Sequence, residues 1–394
     1  MPTTLVTLDA MPSPADFYGR YWNRQPFVVR GAVAADDIAG LIQPDELAAL
    51  ALEDTPRSRM VLTAGDERDW SCRHGPFDED DFTKAGDADW SVLVQNVEQF
   101  HPDTAALLRH FNFAPRWLMD DIMVSYSVRG GSVGPHVDSY HVFLVQGQGV
   151  RRWKIGREAL RDEAYVEGIE LQILKGGFTG DEIEVGCGDV LYLPPKFAHE
   201  GTTLEPALTF SVGFLGPKLS ELYSGYSQYL SEREALDQRY VGDGLDGDSA
   251  GFAIGEGAAR DLRERLTRSL GAQDFEQWLV AFFTQSSHED FGDYAEREDE
   301  MSLEAFTAAL EAGARLIKPA YVKFAVTASA SGTFYLGFDA ESFVLDALSL
   351  PLARSLMDEQ DVDAHSHPGL MEHSATVAFL LELYNHEALE FAPG

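Results

Sequence analysis

His136, Asp138 and His199 are the residues of this chain whose types and spacing are best suited to chemistry. His136-Val-Asp138 lies in a strand-like stretch, where residues two apart share one face. His199 closes a second run, Gly188-Asp-Val-Leu-Tyr-Leu-Pro-Pro-Lys-Phe-Ala-His199, which reads as a strand and a proline turn. Two imidazoles and one carboxylate can occupy a triangular face of a metal and leave the opposite face open, a donor set suited to non-haem Fe(II) and oxygen chemistry. An HxD pair alone is common by chance; the third ligand beyond a strand gives it weight. Structural zinc would add a further Cys or His, and Cys187 is the nearest candidate, but Val185-Gly-Cys-Gly188 reads as a tight turn entering a strand.

Oxygen chemistry needs electrons, and 2-oxoglutarate supplies two when it chelates iron and is oxidatively decarboxylated. Its far carboxylate calls for a cation, preferably an arginine that binds in a two-pronged manner. Arg151 and Arg152 open the strand after Gly147-Gln-Gly149, and alternation turns one of them inward. Arg151 shares its side with Trp153 and is the choice. Ser125 and Ser127, on one face of a neighbouring strand, are candidates to donate hydroxyl hydrogen bonds to the same acid, with Ser211 a weaker third. Asp120, Asp121, Tyr140 and the acidic stretch Phe77 to Asp81 are candidates for gripping a cationic target.

These residues need a β scaffold. From about Asp121 the apolar period falls towards two, with short strands at Ile122 to Val128, Val142 to Val145, Val150 to Ile155, Val190 to Leu193 and Ala207 to Phe214, separated by Gly- and Pro-containing turns. An antiparallel sandwich or barrel such as a jelly roll suits this pattern. Ahead of it, Asp16 to Pro26 reads as helix, Phe27 to Arg30 as strand, Pro44 to Leu52 as helix, Phe77 to Asp81 within the polar and acidic residues 65 to 89 as exposed loop, Ser91 to Gln95 as strand and Asp103 to Phe111 as helix.

Helical pattern returns over residues 216 to 285, broken by Gly242 to Asp248, and the apolar Phe275 to Phe283 could line a helix bundle or a dimer interface. Acidic Glu296 to Glu300 marks a boundary. Beyond it a helix (Ser302 to Ala314), strands (Tyr321 to Thr327 and Thr333 to Leu336) and a terminal helix (Ala375 to Tyr384) fit a small winged-helix-like domain. The expected division is therefore 1–216 catalytic, 217–295 helical and 296–394 winged-helix-like, an α+β chain.

The net charge of −35, from 65 acidic against 30 basic residues, would repel nucleic acid and draw a basic partner. A solubilising surface or adaptation to high salt explains the charge equally well. In the terminal region acidic residues far outnumber Arg315, Lys318, Lys323 and Arg354, which speaks against a phosphate-binding face and for contact with protein. No signal peptide or membrane span is legible, so a cytoplasmic location is expected, and Cys72 and Cys187 lack the spacing of a disulfide framework.

The stretch from about Trp90 to Pro217 resembles the JmjC-type 2-oxoglutarate oxygenases of the cupin superfamily, and in particular the bacterial ribosomal oxygenases. The likeness is carried by DDIMVSYSVRGGSVGPHVDSYHVFLVQGQGVRRWKIG, DVLYLPPKFAHEG and TFSVGF, and by FYGRYWNRQPFVVRGA near the N-terminus. It implies a double-stranded β-helix holding Fe(II), a helical dimerisation region giving a homodimer, and a C-terminal winged-helix-like domain. It also implies O2-dependent hydroxylation of an arginine in a basic large-subunit ribosomal protein. Carried over, His136, Asp138 and His199 would bind iron, Arg151 would bind 2-oxoglutarate, and Ser125 and Ser127 would lie at the cosubstrate or substrate pocket. His141 departs from the pattern, standing where related bacterial sequences usually carry an acidic residue, so pocket polarity or target would differ here. Two other readings stay open: a cupin that kept metal for stability and only binds a basic protein, and an oxygenase acting on histidine or a lysine methyl group.

Overall fold

A computed structural model describes residues 5–63, 70–233, 239–242, 254–271, 275–285, 299–358 and 360–392. The chain forms two compact units, Met1–Gly216 and Pro217–Gly394.

The first unit is built on ten strands: β1 (Val6–Leu8), β2 (Phe27–Val29), β3 (Ser58–Leu62), β4 (Ser71–His74), β5 (Trp90–Val94), β6 (Met119–Ser127), β7 (His141–Ala159), β8 (Gly180–Val185), β9 (Val190–Leu193) and β10 (Phe197–Phe214). They pair in the order β1-β2-β9-β7-β10-β6-β5-β3-β4, with β8 on β7. β1 and β2 are parallel, and the other pairings of this sheet are antiparallel. β9 takes the first half of β7 and β8 the second, while β10 runs beside both halves, a jelly-roll-like arrangement.

Alternation divides the side chains of these strands between two destinations. Ile122 and Val124 of β6, Phe143 and Val145 of β7, and Phe210 and Val212 of β10 enter the main core. Their neighbours Met123, Ser125, Leu144, Thr209 and Ser211 turn the other way and line a cavity. Aromatic rings fill the core beneath: Phe143 packs at centroid distances of 4.8 Å from Phe111, 4.9 Å from Tyr192 and 5.8 Å from Phe17. Such ring pairs contribute about 0.5–1.5 kcal/mol each beyond their burial.

The two strands expected on either side of Gly147-Gln-Gly149 are one bent strand, β7. Leu208 faces Gln148 while the next residue, Thr209, faces Gln146, so β7 carries one extra residue there. Gly149 has φ +68° and lies so close to β10 that a Cβ would sit 2.0 Å from the Pro206 carbonyl oxygen, a conformation and a gap that glycine alone accommodates. The bulge reverses the phase of the strand: even-numbered Val142 and Leu144 face the cavity before it, odd-numbered Arg151 and Trp153 after it.

The polar and acidic stretch holds β3's partner β4, and Phe77 to Asp81, expected as exposed loop, leads into a helix, Glu79–Ala85. Phe77 is buried at the foot of that helix, and Asp78 caps it, its side chain accepting from the Asp81 N–H at 2.8 Å while the Asp81 carboxylate accepts from the Asp78 N–H at 3.1 Å. A cap of this kind is worth about 1 kcal/mol, enough to turn an acidic run into an ordered element. Towards the N-terminus, the expected helix over Asp16 to Pro26 is a short α turn, Pro14–Asp16, followed by a π-helical turn, Phe17–Tyr21.

The second unit contains helices Leu219–Glu232, Glu256–Ser269, Phe275–Thr284, Leu303–Glu311, Ser349–Met357 and Ser374–Asn385. Its strands are β11 (Leu316–Ile317), β12 (Ala325–Ala328), β13 (Phe334–Phe338), β14 (Glu341–Leu345) and β15 (Glu390–Phe391). β12, β13 and β14 form an antiparallel sheet, and β11 pairs with β15. Phe306, Leu310, Leu336, Leu352, Leu380 and Leu383 share its core. Helix Phe275–Thr284 packs on β13, where Gly337 lets the backbone at Val280 approach so closely that a Cβ would meet its carbonyl oxygen at 2.2 Å. Much of Gly242 to Asp248 and of Glu296 to Glu300 lies outside the described residues.

Candidate active site

The two histidines and the aspartate converge. One ligand atom from each of His136, Asp138 and His199 lies within 4.8 Å of the others. The backbone does much of the positioning: His136 N–H donates to the His199 carbonyl at 3.0 Å and His199 N–H donates back at 2.9 Å. Each ring is then fixed by a carbonyl two residues before it. His136 Nδ1 sits 2.8 Å from the Gly134 carbonyl and His199 Nδ1 2.9 Å from the Phe197 carbonyl. A carbonyl can only accept, so in both rings Nδ1 carries the proton and Nε2 keeps its lone pair. Both Nε2 atoms face the Asp138 carboxylate, at 4.0 Å from His136 and 3.4 Å from His199. Burial, and then the neighbouring His136, push the pKa of His199 down to about 4, so the ring is neutral and ready to donate its lone pair at physiological pH.

These residues border a cavity of about 450 Å³. Arg151 forms its floor on one side. The side chain is buried, with Nη1 3.4 Å from Thr209 Oγ1 and Nη2 3.4 Å from the Gly201 carbonyl, and the guanidinium lies 5.0 Å from the Trp153 ring. Arg151 Nε is buried with no hydrogen-bond partner, and among the described residues no carboxylate pairs with this guanidinium. Burial alone lowers its pKa to about 10. A buried cation whose donors are long or unused is costly unless an anion completes it. Arg152, one residue on, points out and pairs with Glu184 at 2.8 Å.

The opposite character prevails further along β10. Gly213 is four residues from Thr209, about 13 Å on a strand, and a Cβ there would lie 3.3 Å from the Asp121 carboxylate and 3.7 Å from the Tyr140 ring. Asp120, Asp121 and Tyr140 all line this end of the cavity. Burial and then Asp120 raise the pKa of Asp121 to about 7. Beneath it Glu98 is buried, accepts from the Ile122 N–H at 2.9 Å, and is pushed up to about 8 by burial and by Asp121.

Ser125 lines the cavity, its hydroxyl 3.5 Å from the Thr209 carbonyl. Ser127 does not reach it: the side chain is fully buried and donates to Ser91 Oγ at 2.7 Å. Ser211 lines the cavity, whereas Phe77 to Asp81 do not. His141 is not among the residues that line the cavity; it is stacked on Trp22 at 3.4 Å between centroids and hydrogen-bonded to the Tyr192 hydroxyl at 2.8 Å. Thr209 and Arg59 are lining residues that sequence reasoning missed. Thr209 carried a signal, since it alternates with Ser211 on β10; Arg59 had none.

Comparison with known proteins places this geometry. A JmjC domain matches residues 106–222, and a ROXA-like winged helix matches residues 264–390. The ribosomal protein uL16 3-hydroxylase of Escherichia coli is 38% identical over 275 residues, spanning 70% of this chain and 72% of that protein. The chain belongs to the JmjC-type ribosomal oxygenases. It is thus an oxygenase with an α+β fold, a jelly-roll core in the first unit and a winged helix in the second. The solved structure of the E. coli ribosomal oxygenase YcfD in complex with cobalt and 2-oxoglutarate superposes with a TM-score of 0.80 at 32% identity, covering 96% of this chain and 98% of that one. The same relative in complex with cobalt and succinic acid gives a TM-score of 0.80 at 31% identity, covering 96% and 98%. Among the described residues no helix is long and apolar enough to cross a membrane.

Proposed function

We propose that this ribosomal oxygenase is an Fe(II)- and 2-oxoglutarate-dependent hydroxylase of an arginine side chain in a basic large-subunit ribosomal protein. The observation that carries the reading is the pairing of two imidazoles, both with Nε2 turned to one carboxylate, with a buried arginine that no carboxylate among the described residues pairs with. His136, Asp138 and His199 would hold Fe(II), which with 2-oxoglutarate and O2 supplies a two-electron oxidation: one oxygen atom enters a C–H bond, the other enters succinate, and carbon dioxide leaves.

The chain's own residues divide the remaining work. Arg151 would hold the far carboxylate of 2-oxoglutarate, with Ser125 beside it as a hydroxyl donor and Thr209, whose hydroxyl donates to Gln146 Oε1 at 3.1 Å, accepting from the guanidinium. Trp153 and Leu144 shield that pair from water, which strengthens it. Asp120, Asp121 and Tyr140 form the end that would take the cationic target, and a carboxylate pair suits the fork of a guanidinium. Holding the target C–H near the metal face is the main catalytic contribution available to such a scaffold. YcfD was solved with 2-oxoglutarate and with succinate, and the named activity of the uL16 3-hydroxylase is on a ribosomal protein; both support the assignment.

The acidic surface favours a basic protein over nucleic acid, and a cytoplasmic location follows from that partner. For the 217–295 region we propose homodimerisation, supported by Leu219, Tyr223 and Leu266, whose side chains are exposed on their helices. Residues 1–216 would then be the catalytic part and 296–394 the winged-helix part.

The test is mass spectrometry of a ribosomal-protein extract incubated with the chain, Fe(II), 2-oxoglutarate and O2, beside the His136→Ala variant. One oxygen gained on one arginine, and lost in the variant, is the expected result. Oxygen on a histidine, or loss of a lysine methyl group, would move the target and keep the chemistry. Absence of both succinate and modified protein would overturn the reading.

A further inference from the structure

A second group of metal-binding side chains stands at the rim of the cavity. Cys72, His74 and Glu170 each bring one donor atom within 4.8 Å of the others. Cys72 and His74 are two apart on β4, so they share a face, and β4 is the last strand at that edge of the sheet. Glu170 comes from the segment between β7 and β8. That segment is held against the same face by Val166 and Ile173, which pack with Val61, Trp70 and Leu93, and Cys72 packs beside them. The convergence is thus fixed by an apolar cluster and needs no ion to create it.

His74 Nε2 lies 2.5 Å from Glu170 Oε1, and both side chains are more than half exposed. Ligands of a tetrahedral zinc ion stand about 3.5 Å apart, given bonds of roughly 2.0–2.3 Å. His74 and Glu170 need to part by about 1 Å to meet that spacing, which their exposed rotamers allow. The donor chemistry separates this group from His136, Asp138 and His199. One thiolate, one imidazole and one carboxylate suit Zn2+ and its neighbours, whereas Mg2+ and Ca2+ need several hard oxygens.

We propose that Cys72, His74 and Glu170 form a second site for a divalent transition metal of the zinc class, with its fourth position open to solvent. An ion there ties the edge strand β4 to the segment before β8. Because Cys72 and Glu170 both line the cavity, the ion fixes one wall of its mouth. The proposal does not depend on the assignment of the His136 group.

Cobalt(II) titration of the full chain, followed by absorption, tests it, because a thiolate bound to Co2+ gives a near-ultraviolet charge-transfer band that nitrogen and oxygen ligands do not. The expected result is a band that saturates at one equivalent, is displaced by Zn2+, persists in His136→Ala and Cys187→Ser, and disappears in Cys72→Ser. His74→Ala and Glu170→Gln, at exposed positions where folding is not at stake, should weaken Co2+ binding at this band by at least ten-fold. No band, a band that survives Cys72→Ser, or one indifferent to both exposed substitutions would overturn the proposal.

Discussion

The two ends of the cavity solve the burial of charge in opposite ways. At one end Arg151 stays a cation at every physiological pH, because lowering its pKa to about 10 still leaves it charged, and no carboxylate among the described residues pairs with it. At the other end Asp121 and Glu98 respond to burial by holding their protons, with pKa values near 7 and 8. A guanidinium cannot escape its charge by titrating, whereas a carboxylate can. The first end is therefore a permanent receptor for an anion, and the second is a receptor for a cation whose strength depends on pH.

The largest effect should come from removing the permanent charge. Arg151→Leu should raise the 2-oxoglutarate concentration needed for half-maximal turnover by about 10²–10³-fold, the loss of a buried charge-assisted pair. The same variant should raise the melting temperature of the ligand-free chain and abolish the rise that 2-oxoglutarate produces in the wild type. Thermal scans with and without 2-oxoglutarate measure both, and a destabilised ligand-free variant would show that Arg151 is not waiting for an anion.

A smaller loss is expected at the acidic end. Asp121→Asn should raise KM for a basic target peptide by about ten-fold, leaving succinate formation without peptide unchanged. If 2-oxoglutarate binding fell instead, the two ends would not be separable.

Next in size is a pH effect. Asp120, Glu98, Tyr140 and Arg59 surround Asp121, and its ionisation near pH 7 should improve peptide affinity several-fold between pH 6 and pH 8, an increase absent from Asp121→Asn. A flat profile in the wild-type chain would place the target cation elsewhere.

The last effect is on stability rather than on binding. Glu98 has a folded pKa of about 8 against an ordinary value of 4.5, so the unfolded chain gives up its proton first. Its contribution is fully present below about pH 4.5 and is lost as pH rises through 8. Glu98→Gln should therefore gain on the wild type from pH 5 to pH 8 in urea unfolding, and a constant difference would contradict the buried proton.

Much of the β scaffold was legible because β10 alternates Leu208, Phe210, Val212 and Phe214 with the small or polar Thr209, Ser211 and Gly213, and β6 alternates Ile122, Val124 and Tyr126 with Met123, Ser125 and Ser127, while β9 is a short run of four apolar residues. The metal-binding set was legible for a similar reason: an HxD pair on an extended segment leaves little choice of face. Arg151 was harder. Alternation carried forward unbroken from Val142 and Leu144 would have turned Arg152 inward; the extra residue at the Gly147–Gly149 bulge reverses the phase, and only the link to Trp153 pointed the right way. The acidic run from Phe77 to Asp81 misled because composition cannot distinguish a solvated loop from a helix capped by its own aspartates. Ser127 shares the parity of Ser125, yet it lies two residues further along β6, where it is buried and its hydroxyl is taken up by Ser91 of β5. Arg59 was invisible because only pairing with β4 and β5 brings β3 to the cavity.

The reciprocal backbone bonds between His136 and His199 have a consequence for how such a protein can vary. The distance between the two imidazoles is set by a single rung of main-chain pairing, whose chemistry is blind to side-chain identity. The segment between β7 and β8, which carries Glu170, can lengthen, shorten or change composition without altering the span that the rung sets. The loops that decide what enters the cavity are thereby free to drift, while the spacing of the two imidazoles is inherited unchanged.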